Sequence, residues 1–154
     1  MNENDLFKTA LNKAMALCAG REYCSDDIRS KLGSWGISSD DAGKILETLV
    51  KEKFLDDRRY AEAFVKDKYR QNKWGRIKIT SMLRMKNIPG DIIDSALKVI
   101  DEDEYRQTVR EIVMSHRSSI KAKNKYDLKG KLMRFGLSKG FESNLLYDLM
   151  NEID

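Results

Sequence analysis

One set of apolar positions recurs three times along this chain, and that recurrence limits the fold more than any other feature. Ile28, Leu32, Ile37, Leu46 and Leu49 are matched 51 positions later by Ile79, Leu83, Ile88, Leu97 and Ile100. A further 49 positions on stand Leu128, Leu132, Leu137, Leu146 and Leu149. The intervals of 4, 5, 9 and 3 are kept while the residues between them change freely. Fixed apolar spacing with open polar positions is the mark of one small packing unit copied in tandem. Such a chain packs neighbour on neighbour and offers a long surface rather than a closed pocket, which favours binding over catalysis. Leu32, Leu83 and Leu132 are expected to be equivalent core residues.

Each copy reads as three helices. Leu6, Phe7, Ala10, Leu11, Ala14, Leu17 and Cys18 follow the stripe of an amphipathic helix. Ser25 with Asp26 and Asp27 is placed to start a second helix, and Ser39 with Asp40 a third, whose buried side holds Ile45, Leu46, Leu49 and Val50. Asp56 and Asp57 are expected to cap a fourth helix bearing Tyr60, Ala61, Phe64, Val65 and Tyr69. Gly75 marks the next junction, and Pro89 suits a helix start, where its missing N–H costs nothing. Asp101-Glu102-Asp103-Glu104 reads as the start of the seventh helix. The turn between second and third helices is expected to be a helix stop written three times: Trp35-Gly36-Ile37, Lys86-Asn87-Ile88 and Phe135-Gly136-Leu137. Gly and Asn accept the positive φ of such a stop, and the apolar residue after them folds back on the helix. No alternating segment between hairpin turns occurs, so no sheet is expected.

The expected fold is therefore all-α. Nine helices form three tandem three-helix repeats, at 1–55, 56–101 and 102–154, in an elongated, curved, right-handed or solenoid-like arrangement. With 41% hydrophobic and 35% charged residues, the chain can fill a small core and solvate the rest. Cys18 and Cys24 are the only cysteines and read as reduced, small core residues. No apolar signal core or membrane span is evident, so a cytoplasmic protein is expected.

The formal charge of +4 conceals segregation. Residues 1–57 hold eight Lys/Arg against eleven Asp/Glu, a net −3. Residues 66–86 and 115–139 each hold eight Lys/Arg against one Asp, a net +7 apiece. Matched basic blocks in two repeats point to a positive strip facing a polyanion or an acidic protein groove. Arg59, Lys66, Arg70 and Lys73 are spaced to share one face of the fourth helix, and Lys121, Lys125 and Lys129 one face of the eighth if it starts that early. The candidate partner-binding set is Arg59, Lys66, Arg70, Lys73, Trp74, Arg76, Lys78, Arg84, Lys86, Lys121, Lys123, Lys125, Lys129 and Arg134. Trp74 and Tyr126 stand beside the strips, and two readings stay open for them: stacking on a base or partner side chain, or covering gaps between helices.

Enzymatic patterns are absent. His116 is the only histidine, and it reads as a packing or surface residue. There is no Gly-x-x-x-x-Gly-Lys phosphate loop. The acidic run at 101–104 lacks the alternate ligands and central glycine of a calcium loop. Asp56-Asp57 reads as a helix cap before a metal pair. No metal, cofactor or catalytic residue is expected.

The stretch Phe54-Leu55-Asp56-Asp57-Arg58-Arg59-Tyr60-Ala61, continuing through Phe64, Val65, Gly75-Arg76 and Leu83, resembles the signature of the RecX family. Arg21, Ser25, Ile28, Lys31-Leu32 and Leu46 to Leu49 resemble that family's first repeat. The third repeat matches mainly by apolar spacing. The resemblance covers roughly residues 8–150. It implies a bacterial regulator of the RecA recombinase, made of three three-helix repeats that insert into the groove of the RecA–DNA filament. Such a regulator inhibits ATP hydrolysis and strand exchange in recombination and SOS repair, and alters filament stability. The implied partners are the RecA filament and, as an alternative, single- or double-stranded DNA bound directly by a helical module. No membrane and a monomer are expected. The family usually has Gly where Asn87 stands, and a small residue near Trp74.

Overall fold

The computed structural model describes residues 2–153. Among them are nine helices and no strand: α1 (Glu3–Gly20), α2 (Ser25–Ser34), α3 (Ser39–Lys51), α4 (Asp57–Arg70), α5 (Arg76–Met85), α6 (Gly90–Leu97), α7 (Glu102–Arg117), α8 (Lys125–Ser138) and α9 (Ser143–Asn151). The helix starts are written locally. Asn2, Ser38, Asp101 and Asn124 each accept the N–H three residues on, satisfying an amide that a helix leaves open. Asp56 does so for α4, taking the N–H groups of Arg58 and Arg59 at 2.9 and 3.2 Å. Two starts fall one residue earlier than the sequence suggests, with Cys24 and Ser38 as caps in place of Ser25 and Ser39.

The chain divides into two compact units, residues 1–63 with 83–93, and residues 64–82 with 94–154. The core of the first is built from Ala10, Ala14, Cys18, Ile28, Leu32, Ile45 and Leu49, with Leu6, Phe7, Leu11, Trp35 and Phe54 packed over it. Val50, expected on the buried side of α3, is 52% exposed. It lies one residue beyond the stripe that ends at Leu49. In the second unit α8 packs on both α7 and α9. Tyr105 is buried there between Tyr69 and Phe141, with ring centroids 5.9 and 6.4 Å away. His116 of α7 stacks on Phe135 of α8 at 3.7 Å.

The helix stops fix how the copies correspond. After α2, Gly36 takes φ +83 and the Ile37 N–H donates to the Leu32 carbonyl at 3.0 Å. After α5, Asn87 takes φ +59 and the Ile88 N–H donates to Leu83 at 3.2 Å. After α8 the same pattern falls on Gly140, φ +89, with the Phe141 N–H donating to Gly136 at 3.1 Å. The third stop is therefore Gly140-Phe141 and not Gly136-Leu137. Gly136 lies inside α8, and Leu137 is 49% exposed. Leu32, Leu83 and Leu132 are all buried, but Leu132 corresponds to Ile28 and Ile79, one helical turn away from the expected register. The position of Leu32 and Leu83 is held in the third copy by Gly136.

Candidate partner-binding surface

The expected basic residues separate into those tied down within the fold and those left without an ion pair. Arg59 is tied. Its Nε donates to Glu22, and its terminal nitrogens reach the Phe54 carbonyl at 3.3 Å and that of Lys53 at 3.5 Å. The hydrogen bond it donates to Glu22 holds the guanidinium above its ordinary pKa.

Lys86 is tied at the start of α2. Its Nζ lies 2.6 Å from Asp27, and Asn87 donates to Asp26 at 3.0 Å. Asp57, in the first turn of α4, accepts from the backbone N–H of Ser25 at 2.9 Å and from its hydroxyl at 3.2 Å. The turn after α5 and the head of α4 thus close the head of α2 through side chains. Burial raises the Asp27 carboxyl, but bonds to Lys86 and to Cys24 outweigh it, so the group stays below the usual carboxylate range. The Lys86 ammonium is held above its own ordinary value by the same pair. Burial pushes the neighbouring Cys24 thiol up to about 11, which makes it a poor thiolate near neutral pH.

Arg76 is tied at the corresponding place in α5. Its guanidinium meets Glu102 and Glu142 at 2.5 Å each and lies 4.0 Å over the Tyr105 ring. Burial opposes its charge, yet Glu102 and Glu142 prevail and raise its pKa. The Tyr105 hydroxyl accepts from the Arg76 N–H at 3.0 Å and donates to Glu142. Burial, then the Glu142 bond, drives the phenol well above its ordinary value. Here the head of α5 is closed by backbone as well. The Gly75 N–H donates to the Lys139 carbonyl at 2.7 Å and the Ile77 N–H to Gly140 at 3.0 Å. A Cβ on Gly75 would lie 2.2 Å from the Gly140 oxygen, so only glycine permits the approach.

Among the described residues Lys66, Arg70, Lys73, Lys78 and Arg84 make no ion pair, nor do Lys121, Lys123, Lys125, Lys129 and Arg134. In the second unit one of them, Lys78, stands over Trp74 together with Lys68. The indole lies 4.4 Å from Lys78 Nζ and 5.2 Å from Lys68 Nζ, with Phe64 edge-on at 6.4 Å. Lys73 turns the chain there with φ +56. Trp74 therefore serves as a platform that fixes two ammonium groups. Lys68 was not legible as part of this cluster, because only the turn at Lys73 brings Trp74 back over the last turns of α4.

On α8, Lys125 and Lys129 share a face as expected. Lys121 precedes the helix, and its carbonyl accepts from Lys131 at 2.6 Å. Tyr126 is 89% exposed and covers no gap. No described helix is long and apolar enough to cross a membrane, and no described group of three or more His, Cys, Asp or Glu is arranged to hold a metal.

Residues 56–97, which contain α4, α5 and α6, match the family model for the second three-helix domain of RecX. Over 153 residues the chain is 31% identical to the regulatory protein RecX of Clostridium perfringens (strain 13 / Type A), covering 98% of this chain and 69% of that one. It is 32% identical over 127 residues to the regulatory protein RecX of Clostridium botulinum (strain Eklund 17B / Type B), covering 81% of this chain and 59% of that one. In fold it is similar to the crystal structure of RecX from Lactobacillus salivarius, with a TM-score of 0.84 over 98% of both chains at 21% identity. With the second-domain match on α4–α6 and similarity running almost from end to end, the chain belongs to the RecX family.

Proposed function

We propose that this chain regulates the RecA recombinase by binding in the groove of the RecA–DNA filament, mainly inhibiting ATP hydrolysis and strand exchange. The observation that carries this reading is the sorting of the cations. Arg59, Arg76 and Lys86 are spent on internal pairs, whereas two further basic groups make no ion pair among the described residues. One is Lys66 and Arg70 on α4, Lys73 in the turn after it, and Lys78 over Trp74. The other is Lys123, Lys125, Lys129 and Arg134 on and before α8. Cations with no carboxylate partner among the described residues are available to an acidic groove or to phosphates. Three helical repeats, divided near 55 and 101, would occupy the groove and oppose the protomer motions turnover requires. The reading includes no catalytic residue and no cofactor.

A direct DNA-binding role is the second reading, favoured by the lysine-flanked Trp74 and by the exposed Tyr126. Binding to RecA-coated and bare DNA across a salt series tests the choice. A direct DNA binder loses affinity log-linearly with salt, at a slope near the number of phosphates neutralised. A filament binder keeps its preference for coated DNA at matched salt and lowers RecA ATPase without hydrolysing ATP itself. Lys66, Arg70 and Lys73 changed together to Glu should weaken binding while the melt stays nearly unchanged. Asp40 and Asp41 changed to Lys should weaken it much less. Equal loss in both variants overturns the assignment of these strips.

A further inference from the structure

The third middle helix departs from the other two in one respect that builds a site. From helix start to left-handed stop is 11 residues in α2 (Ser25 to Gly36) and in α5 (Arg76 to Asn87), but 15 in α8 (Lys125 to Gly140). The four added residues form an extra first turn, Lys125 to Leu128, and it carries Tyr126 out into solvent. Between this turn and α9 lies a cleft of about 490 Å³, within the size range of ligand sites. Tyr126 and Tyr147 stand on its walls, 89% and 61% exposed. Met133 and Gly130 contribute to its lining, and Lys129 and Arg134 bring charge. A Cβ on Gly130 would meet only the Arg134 Nη1, at 3.7 Å, so this glycine leaves the space open.

The described lining of the cleft is net positive, with Lys129 and Arg134 against Asp127. Asp127, the one carboxylate among its described lining residues, is already engaged by Lys131 at 3.1 Å and by the Lys123 N–H at 3.1 Å, and its charge also acts on Arg134. Lys129 and Arg134 make no ion pair among the described residues. Thioether and glycine give a yielding apolar lining suited to a side chain. Tyrosines supply rigid walls with hydroxyl tips. Two cations at the lining suit carboxylates on either side of that side chain.

We propose that the α8–α9 cleft binds an acidic peptide segment of a partner protein, seating one aromatic or leucine side chain among Tyr126, Tyr147 and Met133 while Lys129 and Arg134 pair its flanking carboxylates. The inference shares Lys129 and Arg134 with the proposed function but uses neither the Trp74 cluster nor RecA, so loss of peptide binding leaves filament binding through the Trp74 cluster standing. The full chain, isotope-labelled, is titrated with a short peptide carrying one central Phe flanked by Asp and Glu, and its amide shifts are followed by NMR. Shifts should concentrate at residues 126–134 and 147–151. Gly130→Leu, whose Cβ meets nothing closer than Arg134 Nη1 at 3.7 Å and whose side chain would extend toward the cleft, should weaken binding about tenfold, as should Arg134→Glu. A peptide with Ala in place of Phe should bind about tenfold more weakly. Unchanged melting curves establish that both variants fold. Absence of saturable shifts, indifference to Gly130→Leu, or equal binding of the Ala peptide overturns the proposal. Preferential binding of a short oligothymidylate to the same residues also overturns it and makes the cleft a nucleic-acid groove.

Discussion

Leu146 occupies the space in which a side chain on Gly136 would stand: a Cβ there would lie 2.4 Å from Leu146 Cδ2. The helix stops place Gly136 with Leu32 and Leu83, and Leu146 with Ala42 and Ile93, each five residues past the stop's apolar residue. Large before small in the first copy becomes small before large in the third. Gly136→Leu should therefore overpack the core and cost about 1–3 kcal/mol. Leu146→Ala alone should cost about 2–5 kcal/mol through the cavity it leaves. The double variant should cost less than the sum of the two. Denaturant midpoints across the double-mutant cycle measure that coupling.

Two of the three left-handed stops, Asn87 and Gly140, should answer differently to substitution. Gly140→Ala places a Cβ 2.3 Å from the Lys78 Cβ at φ +89, so it should cost upwards of about 2 kcal/mol. Asn87→Gly keeps a permitted φ and removes only the exposed bond to Asp26, so it should cost under about 1 kcal/mol. Thermal melts of the two variants side by side check the ranking.

The Lys86–Asp27 pair should give stability a limit at each end of the pH scale. Asp27 titrates below 3.8 in the folded chain, so its contribution is complete above that pH and fades as pH falls through the depressed folded value. Lys86 titrates above 10.5, so its contribution is complete below that pH and fades as pH rises through the raised value. With Lys86 41% exposed, solvent screening reduces the pair. Lys86→Met should cost on the order of 1 kcal/mol at neutral pH and flatten both limbs. Urea midpoints from pH 3 to 11 (about one unit apart) test this.

Tyr105→Phe should be the costliest loss of a single hydroxyl in the second unit. It leaves the Arg76 N–H and a Glu142 oxygen without their shared partner, at about 1–3 kcal/mol. Tyr69→Phe gives up only the Thr108 hydroxyl, at 3.0 Å, and should cost less. Equal losses would mean that the Tyr105 bridge contributes no more than an ordinary hydrogen bond.

The helices and their buried faces were legible because an apolar stripe and a capping side chain act over a few residues. The register of the third copy was not. A slip of four residues is close to one turn of 3.6, so Leu128, Leu132 and Leu137 line up as well as the true Leu132, Gly136 and Phe141. Two Gly-apolar pairs, Gly136-Leu137 and Gly140-Phe141, compete for the stop, and they differ in what packs on them, Leu146 on Gly136 and Lys78 on Gly140. The basic blocks were legible as composition, but their sorting was not. Arg59 meets Glu22 37 positions away, Lys86 meets Asp27 59 away, and Arg76 meets Glu142 66 away. Tyr147, half of the α8–α9 cleft, carried no signal until the helices were side by side.

The closure of α2 by later residues has a consequence for synthesis. Ser25 and Asp27 emerge from the ribosome about thirty residues before Asp57 and about sixty before Lys86. Until those arrive, the head of α2 keeps an open amide and an unmatched half-buried carboxylate. The first fifty residues can gather their apolar side chains early, yet they reach their final stability only when the α5–α6 turn has left the exit tunnel. The time between those two moments is when the nascent chain is most open to chaperones and proteases.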